Sequence, residues 1–510
     1  MELAVWILVA ILLVTLMYLY STWNYNYWKK RGVPCPDGYL PAVGHLGKII
    51  FLKDGLFEIC SKHYKKMAGR SMFGLYTMRR PILVLRDPEL VKSVLSTNFT
   101  SFQENGFPID PKVDFLLAEN PFFTTGEEWK EKRSFVVNAF TSGKLKAISD
   151  NILNVAAKLS AYLKKRSSEV QGPLEIDLKD LFARFTAEVA SDVAFGLNDS
   201  SLGLQDNPES LHNKAKDIFA PTRVNIVGHA TMLFFPWLFD IMSIPFIPTK
   251  LQLYFVDAVK NVLSARQEHS SRRNDFVQMV IDKIATTDKS GRIDVNMVAP
   301  HSVTFFVDTY ETSSLTLAYV GFELALHQDV QAMTRKEAQE VLEKYGAFNY
   351  ESLKELVYME QVISESMRHH PVIGLQKTCT EEIVLQGSDG LTCRVEPGTR
   401  ILIPVHDLHK DPEYWTDPES FDPDRFSAEE KQNRPKFVFL PFGEGPRMCV
   451  GMRLAMMQMK ICLTTLLLEY SFQLANRTKV PLEIAPSNFL SVPKHGVWVR
   501  LRPLKTEERS

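Results

Sequence analysis

A single cysteine near the C-terminus lies in the ten residues FGEGPRMCVG (442–451), among three glycines and one proline. A long helical pattern starts directly after Gly451, so Cys449 sits where a helix N-terminus offers free N–H groups and a positive dipole end. Such a position lowers the pKa of a thiol and favours the thiolate, the form that binds metals. Gly445 lets the backbone approach a bulky flat group, and Arg447 can pair with a carboxylate on that group. The segment predicts a thiolate that binds a flat ligand; the alternative is a buried free cysteine in a turn.

The same ten residues resemble the haem-binding loop of the cytochromes P450, the haem-thiolate monooxygenases. The resemblance implies that the cofactor is haem b (iron protoporphyrin IX) and that Cys449 is the axial ligand of its iron. It also implies that Phe442 packs beside the haem on the thiolate side and that Arg447 contributes to haem binding. A thiolate ligand pushes electron density onto the iron and favours cleavage of the O–O bond.

Two further segments carry the resemblance to the haem surroundings. In GEEWKEKR, Trp129 and Arg133 are four residues apart and share one helix face. The family uses such a pair to hold a haem propionate, so the resemblance implies that role for both. An arginine usually adds another propionate contact at the position held here by Lys377, and lysine keeps the charge but loses the bidentate geometry.

A buried ion network is the structural counterpart of these contacts. Glu365 and Arg368 in ESMR are three apart on a helical pattern that Pro371 ends. Taken alone, they are typical of a surface ion pair, which contributes little stability. The resemblance implies instead that Arg425, in FDPDRF, completes a buried Glu–Arg–Arg network that supports the haem-side core.

The segment FFVDTYETSS resembles the family's oxygen-activating helix. The resemblance implies that Glu311 and Thr312 are catalytic and relay protons toward oxygen. Asp308 and Thr309 replace the usual pair of small residues that opens a groove for oxygen. Three roles for Asp308 remain open: it hydrogen-bonds Thr312 or water and assists the relay, it faces the substrate and favours a cationic amine, or it is protonated and structural.

Substrate contacts follow only from family position. Phenylalanine-rich walls suit an apolar ligand, and ordinary core packing is the alternative for each of these residues. The candidates are Phe107, Phe122, Phe305, Asp308, Val372, Ile373, Phe489 and Leu490.

The composition of the 510 residues, with 45% hydrophobic residues and a net charge of −1, favours one large globular domain. A near-neutral chain gives no bulk attraction to nucleic acid, so no nucleic-acid partner is expected. Its six cysteines are scattered and include no CxxC pair, which indicates free thiols in a reducing compartment.

The N-terminal segment Leu3–Tyr20 carries no charge and is long enough to cross most of a bilayer core. Aromatic residues follow it, as at a membrane–water interface, and then three basic residues, which stay cytoplasmic. We therefore expect one anchor in the lipid of the endoplasmic reticulum membrane, with the catalytic domain facing the cytosol. The predicted domains are a membrane anchor (1–28), a basic and proline-rich neck (29–45) and a haem-thiolate monooxygenase domain (46–510).

Helical periodicity dominates the rest of the chain, so the predicted fold class is mainly α with small β-sheets (α+β), the cytochrome P450 fold. A second apolar stretch, 224–247, contains two prolines that argue against a membrane span. It is either core or a flap that dips into the membrane surface. Helices are predicted over 127–140, 148–166, 177–195, 250–285, 296–328, 330–344, 351–370 and 452–470, and strands over 80–87, 382–387, 399–405 and 495–503.

The resemblance spans nearly the whole chain and is greatest to the clan of insect detoxification and vertebrate drug-oxidising enzymes. It implies a monooxygenase that inserts one oxygen atom from O₂ into an apolar small molecule: a xenobiotic, plant toxin, insecticide, or endogenous lipid or hormone. No nucleotide-binding GxGxxG fingerprint follows a strand, so the electrons are expected to come from a partner. The resemblance implies an NADPH-dependent flavoprotein reductase, with cytochrome b5 as a further candidate partner. The alternatives are an isomerase or dehydratase that acts on peroxides without reductase, and a non-catalytic haem protein that sequesters ligands. A basic docking face, or simply a solvated helix surface, is predicted at Lys130, Lys132, Lys144 and Lys146.

Overall fold

A computed structural model describes residues 2–45, 47, 56–107, 109–203, 207–219, 228, 231, 243, 245–269, 273, 275–287, 293–486 and 490–505. Its α-helices are α1 (Glu2–Thr22), α2 (Tyr27–Lys30), α3 (Leu56–Lys66), α4 (Pro88–Lys92), α5 (Gly126–Val137), α6 (Ser142–Ser168), α7 (Leu178–Phe195), α8 (Leu211–Phe219), α9 (Thr249–His269), α10 (Phe276–Thr287), α11 (Val295–Leu326), α12 (Gln328–Tyr345), α13 (Val357–His369), α14 (Val405–Leu408), α15 (Ala428–Asn433) and α16 (Met452–Leu467). The strands are β1 (Met72–Thr77), β2 (Arg80–Leu85), β3 (Leu174–Asp177), β4 (Leu375–Thr378), β5 (Ile383–Gln386), β6 (Thr392–Val395), β7 (Arg400–Ile403), β8 (Tyr470–Leu474) and β9 (Trp498–Pro503). A π-helical turn covers Ser93–Thr97, and 3-10 turns cover Phe99–Phe102, Leu117–Glu119, Asn138–Phe140, Ser352–Lys354 and Pro423–Phe426.

The longest helix, α11, forms the core of the helical part. Asp294 caps its start by accepting a hydrogen bond from the Asn296 N–H at 3.0 Å. From Val298 to Ala325 nearly every side chain is buried, because α7, α9, α10, α13, α16 and β8 surround the helix. A helix that is apolar on most sides is stable only in such a position. It carries the FFVDTYETSS segment through the interior.

Helix α16 begins directly after the cysteine loop and packs against α6, α12 and α11. Gln458 of α16 donates its amide N–H to the Ser313 hydroxyl of α11 at 2.6 Å. This buried bond fixes the distance between the two helices next to Thr312. The fold therefore brings together two motifs that are more than a hundred residues apart in sequence.

The largest sheet has the strand order β1-β2-β7-β4, in which only the β2–β7 pair is parallel. Its edge strand β4 pairs Lys377 with Ile401 of β7, so the sheet fixes the position of this lysine. Two small antiparallel sheets, β3-β9-β8 and β5-β6, complete the β structure. The mainly α architecture with small sheets is the one that the sequence predicts.

Helix α1 is separate from the core: of its residues only Ser21 is buried. With 21 residues and an apolar composition, it is long enough to cross a membrane. This agrees with the predicted membrane anchor.

Two of the aromatic residues expected at the membrane interface lie inside the protein instead. Trp28 is 1% exposed, covers Gly74 of β1 and donates its indole N–H to the Leu75 carbonyl at 3.0 Å. The Tyr25 hydroxyl donates to the Leu40 carbonyl at 2.6 Å. The interfacial interpretation is wrong for these two rings, because the sheet β1-β2 offers an apolar surface that they bury. The neck is thereby fastened to the main domain.

Several predicted boundaries also change. The segment predicted as one helix over 250–285 contains the two helices α9 and α10. The helix predicted from 351 begins at Val357, after a short 3-10 turn. The strands β1, β3, β4, β6 and β8 were not predicted, since they are short and alternate weakly. Nearly all of the apolar stretch 224–247 lies outside the described residues.

Candidate active site

The cysteine loop is a compact turn at the start of α16. The Cys449 N–H donates to the Phe442 carbonyl at 2.8 Å, and the Met448 N–H donates to the Gly445 carbonyl at 3.0 Å. Gly445 has φ +77°, and a Cβ there would lie 1.9 Å from the Leu95 carbonyl oxygen. Both the left-handed backbone and the close approach require glycine at this position.

The sulfur of Cys449 faces an internal cavity rather than bulk solvent. Burial raises the pKa of this thiol to about 11, and the nearby Asp308 carboxyl adds to that rise. Hydrogen bonds from the Gly451 and Met452 N–H groups and the charge of Arg133 lower the pKa, but less than burial raises it. The expectation of a lowered thiol pKa is therefore wrong for the protein alone. A coordinated metal ion supplies the opposing charge that deprotonates a thiol.

Three cations gather at one side of this cavity: Lys377 is buried, and Arg133 and Arg447 are half-buried. Arg133 donates to the Met448 carbonyl at 2.6 Å, while Arg447 donates to the carbonyls of Pro121 and Thr124 at 2.8 and 2.7 Å. Lys377 donates to the Asn105 side-chain oxygen at 2.8 Å. Among the described residues none of the three cations has a carboxylate within salt-bridge distance.

The missing counter-charge fits a bound dianionic group. Burial and Arg133 lower the pKa of Arg447 to about 10, and burial and Arg447 lower the pKa of Lys377 to about 7. The Arg447 Nε is also buried without a hydrogen-bond partner among the described residues. Buried cations and an orphaned donor of this kind are stabilised by carboxylates. The residues present therefore fit the two propionates of a haem whose iron lies at Cys449.

Trp129 packs against Arg447, one of these three cations. It is 6% exposed, and the Arg447 guanidinium lies 4.6 Å from the centre of its ring. The Phe99 ring packs on it at 5.3 Å. A guanidinium over an indole face is a favourable cation–π contact. Trp129 thus holds Arg447 in place, a contact that the sequence did not indicate.

The cavity has a volume of about 360 Å³ and is lined mostly by apolar side chains. Phe107 and Phe122 stack with ring centres 5.3 Å apart on its wall. Phe489 lies outside the described residues, so nothing is said of its position. The other substrate candidates all line the cavity: Phe107, Phe122, Phe305, Asp308, Val372, Ile373 and Leu490.

Asp308 projects its carboxyl group into the same cavity. The Asn120 amide N–H₂ lies 3.2 and 3.3 Å from its two oxygens, and the amide is oriented by the Phe122 N–H, which donates to the Asn120 oxygen at 2.8 Å. Burial raises the pKa of Asp308 to about 7, although the Asn120 hydrogen bond opposes this rise. The pKa of this carboxyl group therefore lies close to neutral pH.

Glu311 and Thr312, the predicted acid–hydroxyl pair, have different hydrogen-bond partners. The Thr312 hydroxyl donates to the main-chain carbonyl of Asp308 at 2.6 Å, and not to the Asp308 carboxylate. Glu311 is 4% exposed at its side chain and lies 2.8 Å from the Lys179 ammonium of α7. Both Glu311 and Thr312 line the cavity. The Lys179 side chain is 18% exposed, so this ion pair connects the cavity wall to the surface.

The predicted ion network is assembled behind the cavity. Arg368 binds both oxygens of Glu365, each at 2.7 Å, with both side chains fully buried. The Arg425 Nε lies 3.4 Å from the same carboxylate. The remaining Arg368 donors bind three main-chain carbonyls, those of His409, Pro418 and Ser420. The network thereby ties α13 to the segment that leads to the cysteine loop.

Sequence reasoning missed three partners of the site: Asn105, Asn120 and Lys179. Each contacts its predicted partner across more than 130 residues of sequence. No local spacing or periodicity could have indicated such contacts, because they depend on the packing of whole helices.

A cysteine just before a helix, an apolar cavity beside it and three buried or half-buried cations without carboxylate partners among the described residues are typical of the haem-thiolate class of proteins. The family model described as Cytochrome P450 matches residues 33–499. The probable cytochrome P450 6a14 of Drosophila melanogaster is 34% identical over 494 residues, which cover 94% of this chain and 95% of the relative. Cytochrome P450 6A1 of Musca domestica is 31% identical and cytochrome P450 9e2 of Blattella germanica 30% identical, each with 97% of both chains covered.

The chain therefore belongs to the cytochrome P450 family, as the cysteine loop predicted. Its cofactor is haem, iron protoporphyrin IX, and it is an enzyme of the haem-thiolate monooxygenase class. The relatives named above are insect proteins, in agreement with the clan that the sequence resembles.

Proposed function

We propose that this monooxygenase inserts one oxygen atom of O₂ into an apolar small molecule held above Cys449, with electrons that a flavoprotein reductase delivers from NADPH. The observation that carries the proposal is the cavity itself: its phenylalanine and aliphatic walls face the cysteine sulfur. Such walls bind apolar ligands through burial of surface rather than through hydrogen bonds. When bound, the haem supplies the iron at which dioxygen is activated. The substrates expected are xenobiotics, plant toxins and insecticides, or endogenous lipids and hormones.

In this proposal Cys449 would hold the haem iron through its sulfur, and Phe442 would pack beside the haem. Arg133, Arg447 and Lys377 hold the propionates, and Trp129 keeps Arg447 in position through the ring contact at 4.6 Å. These roles account for one buried and two half-buried cations that have no salt-bridge partner among the described residues. They also give the sheet strand β4 a function, because it carries Lys377.

Glu311 and Thr312 are proposed to move protons toward the oxygen. Lys179 holds the Glu311 carboxylate at 2.8 Å and is itself partly exposed, so protons have a route from solvent to the cavity wall. The Thr312 hydroxyl lines the same cavity and can pass a proton onward. Asp308 is a second cavity acid whose pKa, about 7, leaves it able to donate a proton or to bind a cation.

The reductase is proposed to dock on the face where α6 and α16 begin. Of the predicted lysines, Lys130 pairs with Glu127 at 2.6 Å, and Lys132 pairs with Glu119 at 3.0 Å and with Glu128. Their charges are thus largely neutralised within the protein. The better candidates are Lys144, Lys146 and the neighbouring Arg453, for which the described residues offer no salt-bridge partner. An acidic flavoprotein surface complements such a patch and gains association rate from it.

The anchor α1 is proposed to place the enzyme in the endoplasmic reticulum membrane with its body in the cytosol. Lys29, Lys30 and Arg31 follow the apolar helix, and basic residues remain on the cytosolic side.

A reconstituted turnover screen tests the proposal. The haem-loaded protein is combined with an NADPH-dependent reductase and supplied with apolar toxins, fatty acids and steroids. We expect NADPH-dependent oxygenated products from at least one class. A protein that shows ligand-induced spectral changes but forms no product with any class would contradict the proposal and favour ligand sequestration.

Asp308→Asn tests the role in which Asp308 faces the substrate and favours a cationic amine. It keeps the shape and removes the charge, so we expect binding of a cationic amine to weaken by about 1.5–3 kcal/mol, roughly 10- to 150-fold. A neutral ligand of the same shape should bind both proteins equally. Because the Asp308 pKa is about 7, amine affinity of the wild type should rise as the pH increases through 7, and the variant should lack this dependence. Spectral titrations at several pH values measure both effects; equal loss for amine and neutral ligand would refute the preference.

A further inference from the structure

Away from the cavity, one glutamate and three histidines meet where the last turns of α11 lie beside the end of α13. The Glu323 side chain is 4% exposed. Among the described residues its salt-bridge partners are imidazoles only, from His327, His369 and His370. A buried carboxylate without a lysine or arginine is costly unless another positive charge compensates it.

The ligand atoms of this cluster are close enough to share one ion. The His370 Nε2 lies 2.7 Å and the His369 Nδ1 lies 3.6 Å from the same Glu323 oxygen. All three ligand atoms lie within 4.8 Å of one another. Two ligands at about 2.1 Å from a tetrahedral zinc ion are about 3.4 Å apart. The distance between the His370 Nε2 and the Glu323 oxygen therefore needs to increase only slightly for the cluster to hold the ion.

The hydrogen bonds of His369 leave its Nδ1 available to bind an ion. Its Nε2 lies 3.1 Å from the Ser420 carbonyl and 3.8 Å from a Glu365 oxygen, both acceptors, so this nitrogen carries the proton. A lone pair on Nδ1 then faces the Glu323 carboxylate, an unfavourable contact that a cation removes. Metal-binding histidines characteristically donate their other N–H to a carbonyl or carboxylate.

Aromatic packing holds the rings in this arrangement. His370 stacks on Tyr319 with ring centres 4.7 Å apart and planes 5° from parallel. Phe421 contacts His369 edge-on at 5.6 Å and stacks on His327 at 4.9 Å. Ligands whose rotamers are fixed by packing lose little entropy when they bind an ion.

We propose that Glu323, His369 and His370 form a binding site for one divalent transition-metal ion, with zinc as the best match. Two imidazoles, one carboxylate and a water complete four-coordinate zinc, whereas magnesium and calcium prefer oxygen ligands alone. The His327 Nδ1 donates to the Glu323 main-chain carbonyl at 3.0 Å, so His327 positions the cluster and does not bind the ion. None of the three ligands lines the Cys449 cavity, so the site is independent of the proposed substrate and redox partner.

Metal analysis of the tag-free, haem-loaded full chain tests the site. After treatment with a chelator, the protein is incubated with zinc or magnesium chloride, passed through a desalting column and analysed by mass spectrometry for metals. We expect about one zinc per haem and no retained magnesium. Glu323→Gln and His370→Phe should retain less than about a tenth of that zinc, while the matched variant His327→Phe should retain it. Equal zinc in all variants, or none in the wild type, would overturn the site.

X-ray absorption at the zinc edge provides a second test on the wild type, which does not depend on the folding of any variant. The expected first shell contains two imidazole nitrogens and light oxygen atoms at about 2.0–2.2 Å. A shell that contains sulfur at about 2.3 Å would place the ion on a cysteine and refute the assignment.

Discussion

Cys449→Ser is expected to reduce reductase-supported turnover below about one thousandth of the wild-type value, a barrier increase of about 4 kcal/mol. The hydroxyl cannot donate electron density to iron as a thiolate does, and O–O cleavage depends on that donation. The reduced carbon-monoxide spectrum of the purified variant should also lose the absorbance of thiolate-ligated haem. Turnover and spectrum together measure the loss.

Cys462 provides the matched control for this substitution. It lies in helix α16, which follows the Cys449 loop, is fully buried and does not line the cavity. Cys462→Ala should therefore leave the spectrum of the haem unchanged. If Cys449→Ser kept the thiolate spectrum, or if Cys462→Ala lost it, Cys449 would not be the ligand.

Arg368→Ala is expected to lower the free energy of unfolding by about 3–5 kcal/mol, because it leaves the buried Glu365 carboxylate without its main partner. The wild-type arginine makes two bonds of 2.7 Å to that carboxylate and three more to carbonyls. Thermal unfolding followed by haem absorbance measures the loss. If Arg368→Ala is too unstable to purify, Arg425→Lys tests the same network. Arg425 lies 3.4 Å from Glu365, so its substitution should lower the free energy of unfolding by a smaller amount.

The exposed pair Arg394–Glu382 is the control for the buried network. Its side chains are 63% and 48% exposed, so Arg394→Ala should cost at most about 1 kcal/mol. If Arg368→Ala and Arg394→Ala lowered the free energy of unfolding equally, burial would not explain the contribution of the network to stability.

Helical periodicity was enough to predict the fold class, and local motifs together with the family resemblance were enough to predict the described residues around the cavity. A helix start after Cys449, the three-residue spacing of Glu365 and Arg368, and the four-residue spacing of Trp129 and Arg133 each fix which side chains share a face. The helical periodicity over 296–328 also predicts a helix, which the structure confirms as α11. These features depend on neighbours in sequence, and periodicity captures them.

Contacts between distant segments could not be predicted in the same way. The amide of Asn120 reaches Asp308 across 188 residues, and Lys377 reaches Asn105 across 272. The pKa of Cys449 also depended on distant packing: the helix start favours the thiolate, but enclosure by the whole domain outweighs it. Trp28 likewise has the residue type and sequence position of a membrane-interface residue. It is buried because it packs against strand β1, which its position in the sequence does not indicate.

The most direct test of the central claim is turnover under ¹⁸O₂ with reductase, NADPH and a substrate identified in the screen. We expect each product molecule to contain one labelled oxygen atom and the second labelled atom to appear in water. One NADPH should be consumed for each product molecule. Unlabelled product, or product formed from a peroxide without NADPH, would contradict the monooxygenase account and favour an isomerase or dehydratase.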